Sequence, residues 1–131
     1  MKKVIQSSHA PKAIGPYSQA IQVGNLVFIS GQIPLSPETG TLSGADITSQ
    51  AHQVLKNLQA ICQEAGGGLQ DIVKLTIYLI DLSHFETVNQ IMQEYFQAPF
   101  PARVTLGVAS LPRQSLVEIE AIMAHGVSLS V

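Results

Sequence analysis

Cysteine occurs once in the 131 residues, at Cys62. No disulfide can therefore close within the chain, which fits a reducing compartment. Charge is also scarce, at 12% of residues, where an ordinary globular domain carries about 25%. Either Ser, Thr, Gln and Gly fill the surface, or another subunit covers part of it. The seven basic residues, Lys2, Lys3, Lys12, Lys56, Lys74, Arg103 and Arg113, gather nowhere beyond the Lys2–Lys3 pair, and the net charge is −2. Nucleic-acid binding draws most of its affinity from phosphate contacts and leaves a basic stripe, so no nucleic-acid partner is expected. No apolar run approaches the ~18 residues of a membrane span. The opening MKKVIQSSHAPKA lacks the apolar core of a signal peptide. A cytoplasmic protein without membrane partners is expected.

Catalytic signatures are equally sparse. GxGxxG, P-loop, GxSxG and CxxC motifs do not occur, and His9, His52, His84 and His125 show no ligand spacing with one another or with Cys62. No metal site is expected. Cys62 falls in the apolar stripe of a helix, which suits a buried inert thiol better than a nucleophile.

What the chain does contain is strong periodicity. Ala51, Val54, Leu55, Leu58, Ile61, Cys62 and Ala65 recur at helical spacing and predict a helix over 48–65. Asp46 or Thr48 can cap its start, and Gly66-Gly67-Gly68 ends it. Phe85, Val88, Ile91, Met92, Tyr95 and Phe96 predict a second helix over 84–96, with Ser83 and Glu86 at capping-box spacing. Short runs at 19–23 and 26–30 flank Gly24-Asn25 and read as a hairpin. Residues 34–46 read as a loop. Further strands are predicted at 72–80, 103–109 and 116–124. The order gives one α+β domain over 1–131, with about six strands and both helices on one face of the sheet.

Alternation in the last two strands adds a finer expectation. Val104, Leu106 and Val108 should meet the helices together with Val117, Ile119, Ala121 and Met123. Arg103, Glu118 and Glu120 would then share the face without helices, beside Ile122 and one of Phe28 or Ile29. A mixed face of that kind suits an oligomer interface.

A few residues could carry chemistry. Arg103 follows Pro99-Phe100-Pro101-Ala102, whose prolines stiffen its approach. It could clamp a carboxylate bidentately or form a structural salt bridge to Glu118 or Glu120. Glu118 and Glu120, two apart on a strand, could do acid–base work if their pKa values split, or form an ion-paired face. Tyr17 stands in the rigid turn Gly15-Pro16-Tyr17-Ser18 and offers a hydroxyl, or is a half-buried loop tyrosine. Ser30-Gly31-Gln32 ends a strand, where Gly31 would let a ligand approach the backbone or simply make a turn. Asn89 lies off the apolar stripe of its helix, as a solvated residue would.

Four ordered motifs go further. They are Ala13-Ile14-Gly15-Pro16-Tyr17-Ser18-Gln19-Ala20, Ile29-Ser30-Gly31-Gln32-Ile33-Pro34, Asp71-Ile72-Val73-Lys74 with Asp81-Leu82, and Pro101–Leu111 followed by Val117-Glu118-Ile119-Glu120-Ala121. Together they resemble the RidA (YjgF-type) family over essentially the whole chain. The resemblance implies a chorismate-mutase-like fold and a homotrimer with ligand sites between subunits. It implies hydrolysis of 2-iminobutanoate and 2-iminopropanoate to 2-keto acids and ammonia, without cofactor or metal. Arg103 would bind the substrate carboxylate and Glu118 would hold or activate water. Tyr17, Ser30, Gly31, Asn89 and Thr105 match further pocket positions. Thr105 stands where many deaminating members carry a cysteine, which removes any thiol-based regulation there. Two other functions compete: a non-catalytic small-carboxylate-sensing or regulatory trimer, and a ribonuclease or translation inhibitor, against which the missing basic patch argues.

Overall fold

The structure is a computed structural model and describes residues 1–125; residues 126–131 of the expected single domain lie outside the described part. Six strands form one sheet: β1 (Lys2–Ile5), β2 (Ala20–Val23), β3 (Leu26–Gln32), β4 (Ile72–Leu79), β5 (Ala102–Gly107) and β6 (Val117–Ala124), in the order β1-β2-β3-β6-β4-β5. All neighbours are antiparallel except β4 and β5, which are parallel. The parallel pair needs a crossover, supplied by α2 (Phe85–Tyr95). The other helix, α1 (Ile47–Glu64), connects β3 to β4.

Both helices form where the periodicity places them. Asp46 caps α1, its carboxylate accepting from the Ser49 amide at 3.1 Å and the Ser49 hydroxyl at 2.8 Å; such a cap contributes about 1 kcal/mol. Ser83 does not cap α2. Asp81 instead accepts from the Ser83 amide and caps a 3-10 turn, Leu82–His84, that leads into the helix. The hairpin is as expected, with Val23 paired to Leu26 and Gly24 at φ 59° closing the turn. β1 was not expected. It is a four-residue edge strand, too short to show alternation, and its lysines discourage pairing with a further strand.

Burial defines the two faces. Val27, Ile29, Leu75, Ile77, Leu79, Val117, Ile119, Ala121 and Met123 are buried in one cluster with Val54, Leu55, Leu58, Ile61, Val88 and Ile91 of the helices. Truncating one of these leucines to alanine costs about 2–5 kcal/mol. Among the described residues, no helix covers the opposite face. That face carries Phe28 and Ile122, paired across β3 and β6, along with Glu118 and Glu120. Ile29 is on the helix side.

The alternation of β5 is the reverse of the expectation. Arg103, Thr105 and Gly107 pair in register with Leu75, Ile77 and Leu79, which point to the helices. Val104 and Leu106 therefore project from the open face, where they are 42% and 44% exposed. Register against β4 decides this, and β5 alone cannot reveal it because its apolar face, Val104 and Leu106, is the one left exposed in the single chain.

Two buried polar residues on α1 hold the loops that border the site. Asn57 donates to the carbonyls of Ile33 and Leu35 at 3.3 and 3.0 Å. Gln50 donates to Gly44 O at 2.9 Å and accepts from the Leu116 amide at 2.8 Å. Buried amides need such partners, so these bonds fix the loop after β3 and the entrance to β6.

Candidate active site

Arg103 stands at the sheet edge on β5. Its Nη1 donates to Asn89 Oδ1 on α2 at 2.5 Å and lies 3.8 Å from Met92 Sδ. Its Cζ sits 5.2 Å from the centre of the Phe85 ring, a cation–π distance. These contacts orient the guanidinium yet leave most of its five donors unfilled. It borders an open cavity of about 480 Å³ walled by Met92, Phe96, Phe100 and Pro101. Asn89, which its place on the helix alone reads as solvated and the family resemblance reads as a pocket residue, is half-buried and bonded to the arginine. Thr105 lies two residues along the same face, and its buried hydroxyl has no partner among the described residues.

Glu118 stands on the other face, on β6 near the sheet centre. Opposite β6, strand β3 carries an irregularity: Ile29 pairs with Ala121 and Gln32 with Ile119, so Ser30 and Gly31 together face Glu120. Bulges of this kind re-aim residues beside active sites. Gly31 lies directly beneath the Glu118 side chain. A methyl added there would strike Glu118 Oε2 and sit 2.9 Å from its Cδ, so no other residue leaves the carboxylate in place. Ser30 donates its hydroxyl to Ser18 O at 2.6 Å and its amide to Gln19 O at 2.9 Å. These bonds tie the bulge to the turn that presents Tyr17, which is 54% exposed.

Burial, and then the neighbouring Glu120 charge, raise the Glu118 pKa above the ordinary glutamate value. Glu120 in turn accepts a short hydrogen bond from the Tyr78 hydroxyl. That bond, with burial and the two carboxylates, pushes Tyr78 up to about 12, so its proton stays on at neutral pH. The two carboxylates are thus differentiated: Glu120 is engaged by a phenol, and Glu118 is free to take up a proton. They border a cavity of about 320 Å³ with Gly31, Tyr78, Leu111 and Pro112.

Arg103 and Glu118 therefore do not share a face within one chain. Among the described residues, Arg103 forms no salt bridge with Glu118 or Glu120, which removes the structural ion-pair reading. The candidate residues fall into two clusters on opposite sides of the sheet: Arg103, Asn89 and Thr105 on one, Glu118, Gly31, Ser30 and Tyr17 on the other. Sequence reading passed over Phe85, Met92 and Tyr78. The alternation of Thr76 and Tyr78 against Leu75, Ile77 and Leu79 was the available signal for Tyr78.

The layout of the sheet and its two helices defines a class, that of the Rid proteins with solved structures. A Rid family protein, YyfA of Yersinia pestis, superposes with a TM-score of 0.93 at 46% identity, covering 95% of this chain and 100% of that one. Escherichia coli TdcF with bound serine gives 0.90 at 42% identity, covering 95% and 99%. The chain belongs to the YjgF/RidA family, whose profile, described as endoribonuclease L-PSP, matches residues 7–125. Its sequence is 51% identical to a RutC family protein of Pyrococcus abyssi over 92% of this chain and 95% of that one. It is 48% identical to the 2-iminobutanoate/2-iminopropanoate deaminase of Mus musculus over 96% and 93%.

Proposed function

We propose that the protein is a cytoplasmic hydrolase of C=N bonds that converts 2-iminobutanoate and 2-iminopropanoate to 2-keto acids and ammonia. We further propose that it works as a homotrimer, in clefts where the Arg103 half-site of one copy meets the Glu118 half-site of the next. One observation carries this reading: a cation with free donors and a carboxylate of raised pKa lie on opposite faces of the sheet, each beside an open cavity. Neither half suffices alone. The open face, with Phe28, Val104 and Leu106 exposed, offers apolar area for a second copy to cover. The name of the mouse relative supports the reaction. The serine in the E. coli relative supports a site for small carboxylates.

The chemistry follows from the two halves. Arg103 takes the substrate carboxylate as a bidentate pair, and the Asn89 bond holds the fork in register. Thr105 offers its unpartnered hydroxyl, and Tyr17, Ser30 and Gly31 border the reacting group. Ionised Glu118 accepts a proton from water as the water oxygen bonds to the imine carbon. Glu118 returns that proton to the former imine nitrogen, giving the tetrahedral adduct. The adduct's hydroxyl proton then passes by way of Glu118 to the nitrogen, the C–N bond breaks, and ammonia leaves as the keto acid's C=O forms. Fixing an already electrophilic carbon is a large part of the barrier, and proton transfer adds about 10²–10⁴-fold.

The direct test couples a threonine dehydratase to the protein and follows 2-ketobutanoate, with semicarbazide trapping free imine. Faster ketobutanoate release and less trapped imine are expected. No acceleration at micromolar protein would favour a non-catalytic sensor.

A further inference from the structure

A second cationic groove adjoins the Glu118 cavity. It has a volume of about 250 Å³ and is bordered by Lys12, Tyr17, Gly31 and Arg113, with Ile14 and Ile33 as apolar walls. Gly31 borders both spaces, and Pro112, the neighbour of Arg113 in the chain, borders the Glu118 cavity. Two consecutive Cα atoms are about 3.8 Å apart. The two spaces meet at Gly31, so a substrate whose reacting carbon lies over Glu118 can direct its side chain into the groove.

Arg113 is built into this place with some care. Arg113 and Gln114 both adopt left-handed backbone, at φ 59° and 57°, which residues with a Cβ rarely do. Ser115 holds the turn, donating its hydroxyl and its amide to Pro112 O at 2.9 and 3.1 Å. Strained residues of this sort collect at ligand clamps. The guanidinium is underused: Nη2 donates to Gly40 O at 3.4 Å, beyond the usual range for such bonds. Neither Arg113 nor Lys12 has a salt-bridge partner among the described residues.

We propose that Arg113 is a specificity-determining residue that binds a second acidic group, so that the cleft favours 2-imino acids whose side chain ends in a carboxylate. This rests on the imine-hydrolase reading above. Methylenes of such a side chain would lie along Ile14 and Ile33 while its terminal carboxylate meets Arg113 and Lys12. The C1 carboxylate remains with Arg103. Two anionic ends thus meet two separate cations.

The test compares kcat/KM for 2-iminoglutarate, generated in situ by an oxidase acting on glutamate, with that for 2-iminobutanoate from threonine dehydratase. In Arg113→Gln the glutarate-to-butanoate ratio should fall about tenfold or more, the weight of one charge-assisted pair, with the loss in KM. Arg113→Lys, which keeps the charge, should recover part of it. On the wild-type protein, 2-oxoglutarate should inhibit more strongly than 2-oxobutanoate, and added salt should narrow the gap. A ratio that moves less than about twofold, or equal inhibition by the two oxo acids, overturns the proposal. So does a wild-type enzyme that turns over the butanoate imine but not the glutarate one. Turnover of neither would overturn the hydrolase reading itself.

Discussion

Arg103 and Glu118 occupy opposite faces of one sheet and are held by different means. Arg103 sits on the exposed edge strand β5, steadied by a hydrogen bond to Asn89 and by the Phe85 ring. Glu118 sits on β6, between β3 and β4, with Gly31 beneath it and a like charge two residues away. A permanently charged guanidinium keeps its charge in any environment, so an edge position leaves it solvated and ready for an anion. A proton acceptor working near neutral pH needs its pKa raised, and burial at the sheet centre does that. In the reaction proposed above, the edge half would recognise the substrate and the centre half would do the proton transfer.

Removing either half should give the largest effect. Arg103→Ala should lower kcat/KM about 10²–10³-fold, as loss of a preorganised charge contact does, with far-UV circular dichroism and oligomer mass unchanged because the side chain is exposed. Turnover near the wild-type value would remove the clamp role. Gly31→Ala tests the centre half more gently. Its new methyl forces the Glu118 carboxylate aside, and a displacement of that kind costs up to about 10²-fold. The loss should fall in kcat and leave carboxylate affinity, measured with 2-oxobutanoate, close to normal.

Glu120→Gln should have the smallest effect. In the proposed reaction Glu118 acts ionised, so turnover should fall as pH drops through its raised pKa. Removing the Glu120 charge removes one of the two causes of the rise and leaves burial. The acid limb of the kcat profile should therefore move to lower pH while remaining above the ordinary glutamate value. An unmoved limb would mean that burial alone sets the Glu118 pKa.

The two halves were also unequally legible. On β6 the buried residues alternate strictly, so Glu118 and Glu120 were placed on the open face from sequence alone. On β5 the same reasoning failed. Val104 and Leu106 are apolar yet exposed in the single chain, and only pairing with β4 shows that Arg103 is on the helix side. The Asn89 contact was hidden for the same reason, since a polar residue off a helix stripe reads as solvated until the neighbouring strand is placed. Both helices and the hairpin were legible because their cues lie within a few residues of one another. The Ser30–Gly31 irregularity depends on β6, far along the chain, and the left-handed pair at Arg113 and Gln114 carries no glycine or asparagine that would signal it.

The most direct measurement is subunit complementation. Arg103→Ala and Glu118→Gln, each nearly inactive alone, are unfolded together, refolded at equal ratio and assayed for 2-ketobutanoate release. If every site draws its arginine from one copy and its glutamate from another, random assembly restores about one intact site in four, and activity should return to about a quarter of wild type. Mixed oligomers confirmed by mass that show no more activity than the two variants assayed apart would contradict a site shared between copies.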